Sequence, residues 1–233
     1  MRPSAFVSAF VALFFLCVFV PAQNAKAPDG FVSLFNGRDL EGWDGNPQLW
    51  SVRDGAITGQ TTAENPLKKN SFIIWRGGKV ADFELRLQFR MEGGNTGIQY
   101  RSADRGGWVI QGYQADFDMA KRFAGILYEE GGRGILAKVG EKSTIGADGK
   151  IAVTGQTGDP EEIRKAIRDG DWNDYTILAR GNRLEHRING RTTVEVLDEQ
   201  AEKRAMDGLL AFQVHVGPPM KIQFRNILLK VLP

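Results

Sequence analysis

Two histidines, three glutamines at like positions and a few carboxylates are the residues of this chain with chemistry to offer. His215 stands in Gln213-Val214-His215-Val216-Gly217-Pro218-Pro219, at the mouth of an expected loop. Imidazole is the side chain best matched to proton transfer near neutral pH, which makes His215 the first candidate for a base. The alternative is a structural histidine bonded to backbone. His186 lies beside Leu184 and Ile188 and is expected to point the other way. Two histidines so far apart in sequence make no zinc signature.

Period-two alternation must position these groups. Phe83-Glu84-Leu85-Arg86-Leu87-Gln88-Phe89-Arg90 reads as a strand with one apolar and one polar face. Ile98 and Tyr100 alternate with Gln99 and Arg101, Tyr113, Ala115 and Phe117 with Gln114 and Asp116, and Phe212, Val214 and Val216 with Gln213 and His215. If the apolar sets are core, three strands present the pairs Gln/Arg, Gln/Asp and Gln/His on an outer face. Such directional donors and acceptors suit sugar hydroxyls; the competing view is an ordinary solvated sheet.

Glu129 and Glu130 precede Gly131-Gly132-Arg133-Gly134. In a strand they point to opposite faces, so one of them could join Asp116 as the paired carboxylates usual in glycoside cleavage. A salt bridge to Arg133 or Arg101 is the other reading. Among five tryptophans, which could stack on sugar rings or simply pack, Trp108 beside Gly106-Gly107 is the one expected to be exposed. The glycine pairs at 77–78, 93–94, 106–107 and 131–132 lack the strand-to-helix setting of a phosphate loop and read as turns, and no nucleophile elbow is present.

The rest of the chain supplies a frame. Further strands are expected at 175–179 and 183–188, a hairpin around Gly181-Asn182, then at 192–196 after Asn189-Gly190, at 209–216 and at 222–231. One short helix is expected to open at Pro160 and end at Gly170. A dozen short strands and one small helix imply an all-β fold of two packed antiparallel sheets, a jelly-roll sandwich whose curved outer face can cradle a ligand. With 30 basic and 28 acidic residues the charge nearly balances, and no basic stripe speaks for nucleic acid. Arg2 followed by an apolar run to Val20 and Pro21-Ala22 reads as a signal peptide over 1–22. A linker is expected at 23–28 and one domain at 29–233. Cleavage would remove the single cysteine, Cys17, and place the product in a periplasm or outside the cell, with no membrane contact thereafter. No cofactor is expected. A structural calcium ion stays open, because Asp116 and Asp118 are acidic although no full calcium loop appears.

The opening Phe31-Val32-Ser33-Leu34-Phe35-Asn36-Gly37-Arg38-Asp39-Leu40-Glu41-Gly42-Trp43 resembles the start of the 3-keto-disaccharide hydrolase domain family, which has a concanavalin A-like jelly roll. The likeness continues through Asn95-Thr96-Gly97-Ile98-Gln99-Tyr100-Arg101-Ser102, Gly112-Tyr113-Gln114-Ala115-Asp116, Gly125-Ile126-Leu127-Tyr128-Glu129-Glu130, Trp172-Asn173-Asp174-Tyr175 and Gln213-Val214-His215-Val216-Gly217. It implies cleavage of sugars already oxidised at C3. A C3 ketone acidifies the C2 proton; the enolate formed by its removal expels the C1 substituent, and water can add to the enone. This needs a base, an acid and donors for the enolate oxygen. His215 is assigned as base and Asp116 or Glu129 as acid; Gln99, Arg101, Gln114, Gln213, Trp108 and Arg133 are assigned to substrate. A lectin-like sugar-binding module and a protein-interaction domain remain the rival readings, since fold alone does not choose.

Overall fold

The computed structural model describes residues 27–233; the expected signal peptide, Cys17 and most of the linker lie outside them. The chain begins with β1 (Val32–Ser33), β2 (Trp43–Gly45), β3 (Trp50–Arg53), β4 (Ala56–Gln60), β5 (Ser71–Trp75) and β6 (Phe83–Glu92). It continues with β7 (Asn95–Asp104), β8 (Ile110–Asp118), β9 (Ile126–Glu130), β10 (Gly134–Ala137), β11 (Glu141–Ile145) and β12 (Ile151–Gln156). After α1 (Pro160–Lys165) come β13 (Asn173–Arg180), β14 (Arg183–Ile188), β15 (Arg191–Asp198), β16 (Leu209–Val214) and β17 (Lys221–Val231).

Two sheets face each other. The ten-stranded sheet runs β12-β11-β15-β14-β13-β6-β17-β4-β3 with β1 on β17, and the seven-stranded sheet runs β10-β9-β8-β7-β16-β5-β2. All pairings are antiparallel except β11 with β15, which is parallel, so the sandwich is antiparallel-rich rather than purely antiparallel. The core between the sheets is the alternating apolar set read from sequence, except Val216, which lies beyond the end of β16 and is exposed. Phe83, Leu85, Leu87 and Phe89 of β6 meet Ile98, Tyr100, Tyr113, Ala115, Phe117, Phe212 and Val214 of the other sheet. Phe212 stacks at 4.0 Å on Phe224 and at 4.9 Å on Trp43. His186 is wholly buried in this core, 2.9 Å from the Tyr100 hydroxyl, and burial pushes its pKa down to about 4.

Local chemistry sets the connections. Asn189 and Gly190 take positive φ, 48° and 76°, the geometry a two-residue hairpin needs between β14 and β15. Asp159 caps α1 by accepting from the Glu161 N–H at 2.7 Å. The helix stops at Lys165, earlier than expected. The Asn173 side chain accepts from the Arg168 N–H and donates to the Arg168 and Asp171 carbonyls, which folds the following residues into a turn. Seventeen strands are present among the described residues against the dozen expected, and several of those not placed from sequence are segments of two to five residues, too short for alternation to be visible.

Candidate active site

The outer face of the seven-stranded sheet carries a groove of about 770 Å³. Its floor comes from β7, β8 and β9. Because β8 turns Tyr113, Ala115 and Phe117 inward, Gln114, Asp116 and Asp118 point outward. In β9 the outward set is Ile126, Tyr128 and Glu130, and β7 contributes Asn95. One wall is the 119–123 loop, held by Asp118, which accepts from the Phe123 N–H at 2.8 Å and pairs with Arg122 at 3.2 Å. The opposite wall is His215, Val216 and Pro218, with Asn70 beside them.

Asp116 is the most perturbed acid in the groove. It is 7 % exposed, and burial raises its pKa to about 7. A hydrogen bond from Asn95 Nδ2 at 2.8 Å opposes this rise, and the neighbouring Asp118 and Glu130 charges add to it. A carboxyl that gains and loses its proton near neutrality is fitted to acid–base work. Glu130 is held between two amides, accepting from Asn70 Nδ2 at 3.1 Å and Gln213 Nε2 at 3.4 Å. Asn70 Oδ1 in turn accepts the Val216 N–H at 3.0 Å, which ties the carboxylate to the His215 wall.

Beneath these groups lies a glutamine ladder. Ser102 Oγ donates to Gln99 Oε1 at 2.6 Å, and Gln99 Nε2 donates to Gln114 Oε1 at 2.7 Å. Gln213 Nε2 reaches the same Gln114 oxygen at 3.2 Å. With its oxygen so engaged, Gln114 keeps its amide N–H groups for the groove. The side chain lies over Gly97, where an added Cβ would come within 2.4 Å of it. Gly97→Ala is therefore expected to displace the Gln114 amide, to lower kcat/KM on the order of 10²-fold, and to lower the melting temperature by several degrees as the ladder's buried donors lose their acceptor. Steady-state kinetics beside a melting curve check this; unchanged kinetics would remove Gln114 from the working geometry.

The structure brings together Gln114, Asp116 and His215 as the sequence predicted, and supports them with Gln99 and Gln213. Both of these glutamines are 0 % exposed and sit behind the groove rather than in it. Six assignments are corrected: Gln99 and Gln213 are supports rather than substrate contacts, and four further residues lie elsewhere. Glu129 points to the inner side of β9, where Arg133 Nε meets its carboxylate at 2.6 Å, so it cannot serve as the groove's acid. Arg133 also binds Asp198 at 2.7 Å and Gln200 at 3.1 Å, a buried knot between the sheets. Arg101 leaves the outer face because a bulge breaks β7 after Tyr100 and Arg101 takes φ 46°. Its guanidinium is spent on the Ala81, Gly181 and Ala205 carbonyls and on Asp82. Trp108 donates to Asp44 at 2.8 Å and does not line the groove. Asn70, Asn95 and Tyr128 are groove residues that sequence reasoning passed over, and Glu130 is the one of the two adjacent glutamates that it weighed but did not choose. For Asn95 a signal existed, since counting back by twos from Gln99 reaches it; Asn70 carried none. Among the described residues no group of three or more His, Cys, Asp or Glu is placed to hold a metal ion.

A family model for the 3-keto-alpha-glucoside-1,2-lyase-like domain matches residues 30–230, nearly all of the described chain. The chain belongs to this family. The family domain is carbohydrate-active and hydrolase-like. A 3-keto-disaccharide hydrolase of Bacteroides thetaiotaomicron is 31% identical over 80 residues, covering 31% of this chain and 27% of that protein, so the match spans about a quarter of the relative's length. Among solved structures, a provisionally named glycosyl hydrolase of Parabacteroides distasonis superposes with a TM-score of 0.59 at 21% identity, over 87% of this chain and 99% of that one. The carbohydrate-binding module CBM66 of Bacillus subtilis superposes at 0.50 and 14% identity, over 85% and 93%. Both share the sandwich fold.

Proposed function

We propose that this domain cleaves 3-keto-glycosides by removing the C2 proton and expelling the C1 substituent, with water adding afterwards to complete hydrolysis. The observation that carries the reading is the convergence of His215, Asp116 and Glu130 on one groove in a domain of this family. His215 is the base that takes the C2 proton. Asp116, poised near neutrality, gives its proton to the departing C1 oxygen. The Gln114 N–H groups stabilise the enolate oxygen at C3, and Glu130, fixed by Asn70 and Gln213, accepts hydrogen bonds from ring hydroxyls. The 1,2-lyase wording of the family description and the hydrolase name of the relative fit the two halves of this sequence, elimination and then hydration.

The test is aglycone release from a 3-keto-glycoside and from its unoxidised parent. Wild type is expected to release aglycone from the keto substrate alone. His215→Ala is expected to lose about 10²–10⁴-fold of that rate. Equal release from both substrates would overturn the enolate chemistry. Binding of either without any release would favour a sugar-binding module, the reading to which the likeness to CBM66 lends its fold.

A further inference from the structure

The outer face of the ten-stranded sheet, on the far side of the molecule from the groove, holds two arginines against one tryptophan. Arg225 Cζ lies 3.9 Å and Arg90 Cζ 4.9 Å from the centre of a Trp172 ring. Each guanidinium is held along one edge by an amide rather than a carboxylate. Arg90 Nε and Nη2 donate to Gln223 Oε1 at 3.1 and 2.6 Å, and Arg225 Nε donates to Gln88 Oε1 at 2.9 Å. Arg90 Nη1 and both Arg225 Nη atoms have no hydrogen-bond partner among the described residues. Two acids lie nearby without an ion pair to either arginine: Asp174 accepts from Gln88 Nε2 at 2.9 Å and Asp171 from the Trp172 N–H at 2.7 Å. Burial, and then the Arg90 charge, lower the Arg225 pKa, while Asp171 and Asp174 pull it the other way.

Strand register extends the row. Arg53 pairs with Ala56, and Ile57 with Phe224, so Arg53 and Arg225 flank the small Ala56 two strands apart, about 10 Å. We propose that this face binds a carboxylate-bearing polysaccharide through Arg90, Arg225 and Arg53, with Trp172 as the platform. Arginine forks match carboxylates two bonds at a time. Their spacing of about 10 Å along a row suits a chain of acidic sugars lying across the strands. The proposal goes beyond the groove chemistry: it places a tether for acidic polymer on the opposite face.

Affinity electrophoresis of the whole domain through gels containing polygalacturonate, dextran sulfate or neutral dextran tests it. Retardation is expected in polygalacturonate, weakening as salt rises, and none is expected in dextran. Arg90→Gln/Arg225→Gln is expected to reduce retardation at least tenfold in apparent Kd while melting like wild type and keeping the groove's activity. Arg53→Ala is expected to give a smaller loss. Retardation by dextran sulfate alone, equal retardation of the double variant, or no retardation in any gel would overturn the proposal. None of these results depends on turnover, so the groove chemistry stands or falls separately.

Discussion

Asp116→Asn is expected to cost about 10²–10⁴-fold in turnover of a 3-keto-glycoside and at the same time to make the fold more stable above neutral pH. The two effects share one cause. The folded state raises this carboxyl from an ordinary 3.8 to about 7, chiefly by burying it. A raised carboxyl contributes stability that is fully present below its unfolded pKa and is lost as pH rises through its folded one. The window therefore runs from about pH 4 to about pH 8, and the loss across it is on the order of a few kcal/mol. An asparagine keeps an oxygen for the Asn95 bond of 2.8 Å and carries no charge to bury. Melting curves at about pH 4 and pH 8 should nearly coincide for the variant and wild type at the lower pH and separate at the higher, with the variant more stable by a few kcal/mol. In wild type, kcat should fall as pH rises past about 7, because the acid form of Asp116 disappears. Turnover within threefold of wild type in Asp116→Asn would remove Asp116 as the acid.

Replacing Arg133 by methionine should be the most damaging single change to stability outside the hydrophobic core. One guanidinium answers two buried carboxylates: Glu129, 8 % exposed, at 2.6 Å, and Asp198, 1 % exposed, at 2.7 Å. The Tyr113 hydroxyl also donates to Asp198, at 2.5 Å. Removing the cation strands two desolvated negative charges, a loss of about 3–5 kcal/mol, or about 10 °C in Tm for a domain of this size. Adding Asp198→Asn to the variant should recover part of that loss, because one stranded charge is then gone while the Tyr113 bond can persist. A Tm within about 2 °C of wild type for Arg133→Met would show that the knot contributes specificity of packing rather than stability.

Much of this was legible in the sequence, and the failures have local causes. Strand β6 alternates without a break, and residues 113–117 of β8 and 212–215 at the end of β16 alternate locally, so the outward placement of Gln114, Asp116, Gln213 and His215 could be read directly. In β9 the residues 126–128 are apolar or aromatic throughout. No alternation reveals which glutamate shares the side of buried Leu127, and the wrong one was assigned to the groove. In β7 the alternation is clean up to Tyr100, but the bulge that follows sends Arg101 to the other side, and nothing in the residue types announces it. Asn70 reaches the groove only because β5 pairs with β16 across more than a hundred residues of chain. That contact belongs to topology, which local patterns do not carry. The helix ended early through the side chain of Asn173, seven residues beyond Ala166.

Strand β9 is two-faced: Glu129 secures the inter-sheet knot while its neighbour Glu130 equips the groove. A one-residue insertion or deletion in this strand would trade the two, sending the knot's carboxylate into the groove and the groove's into the interior. Its length is thus locked, and its side chains answer to two demands at once. Diversification of this scaffold should therefore run through the 119–123 loop and residues 216–218, which border the groove without crossing the sandwich. A library confined to those segments should yield more folded variants with altered preference than one of equal size spread over β8 and β9.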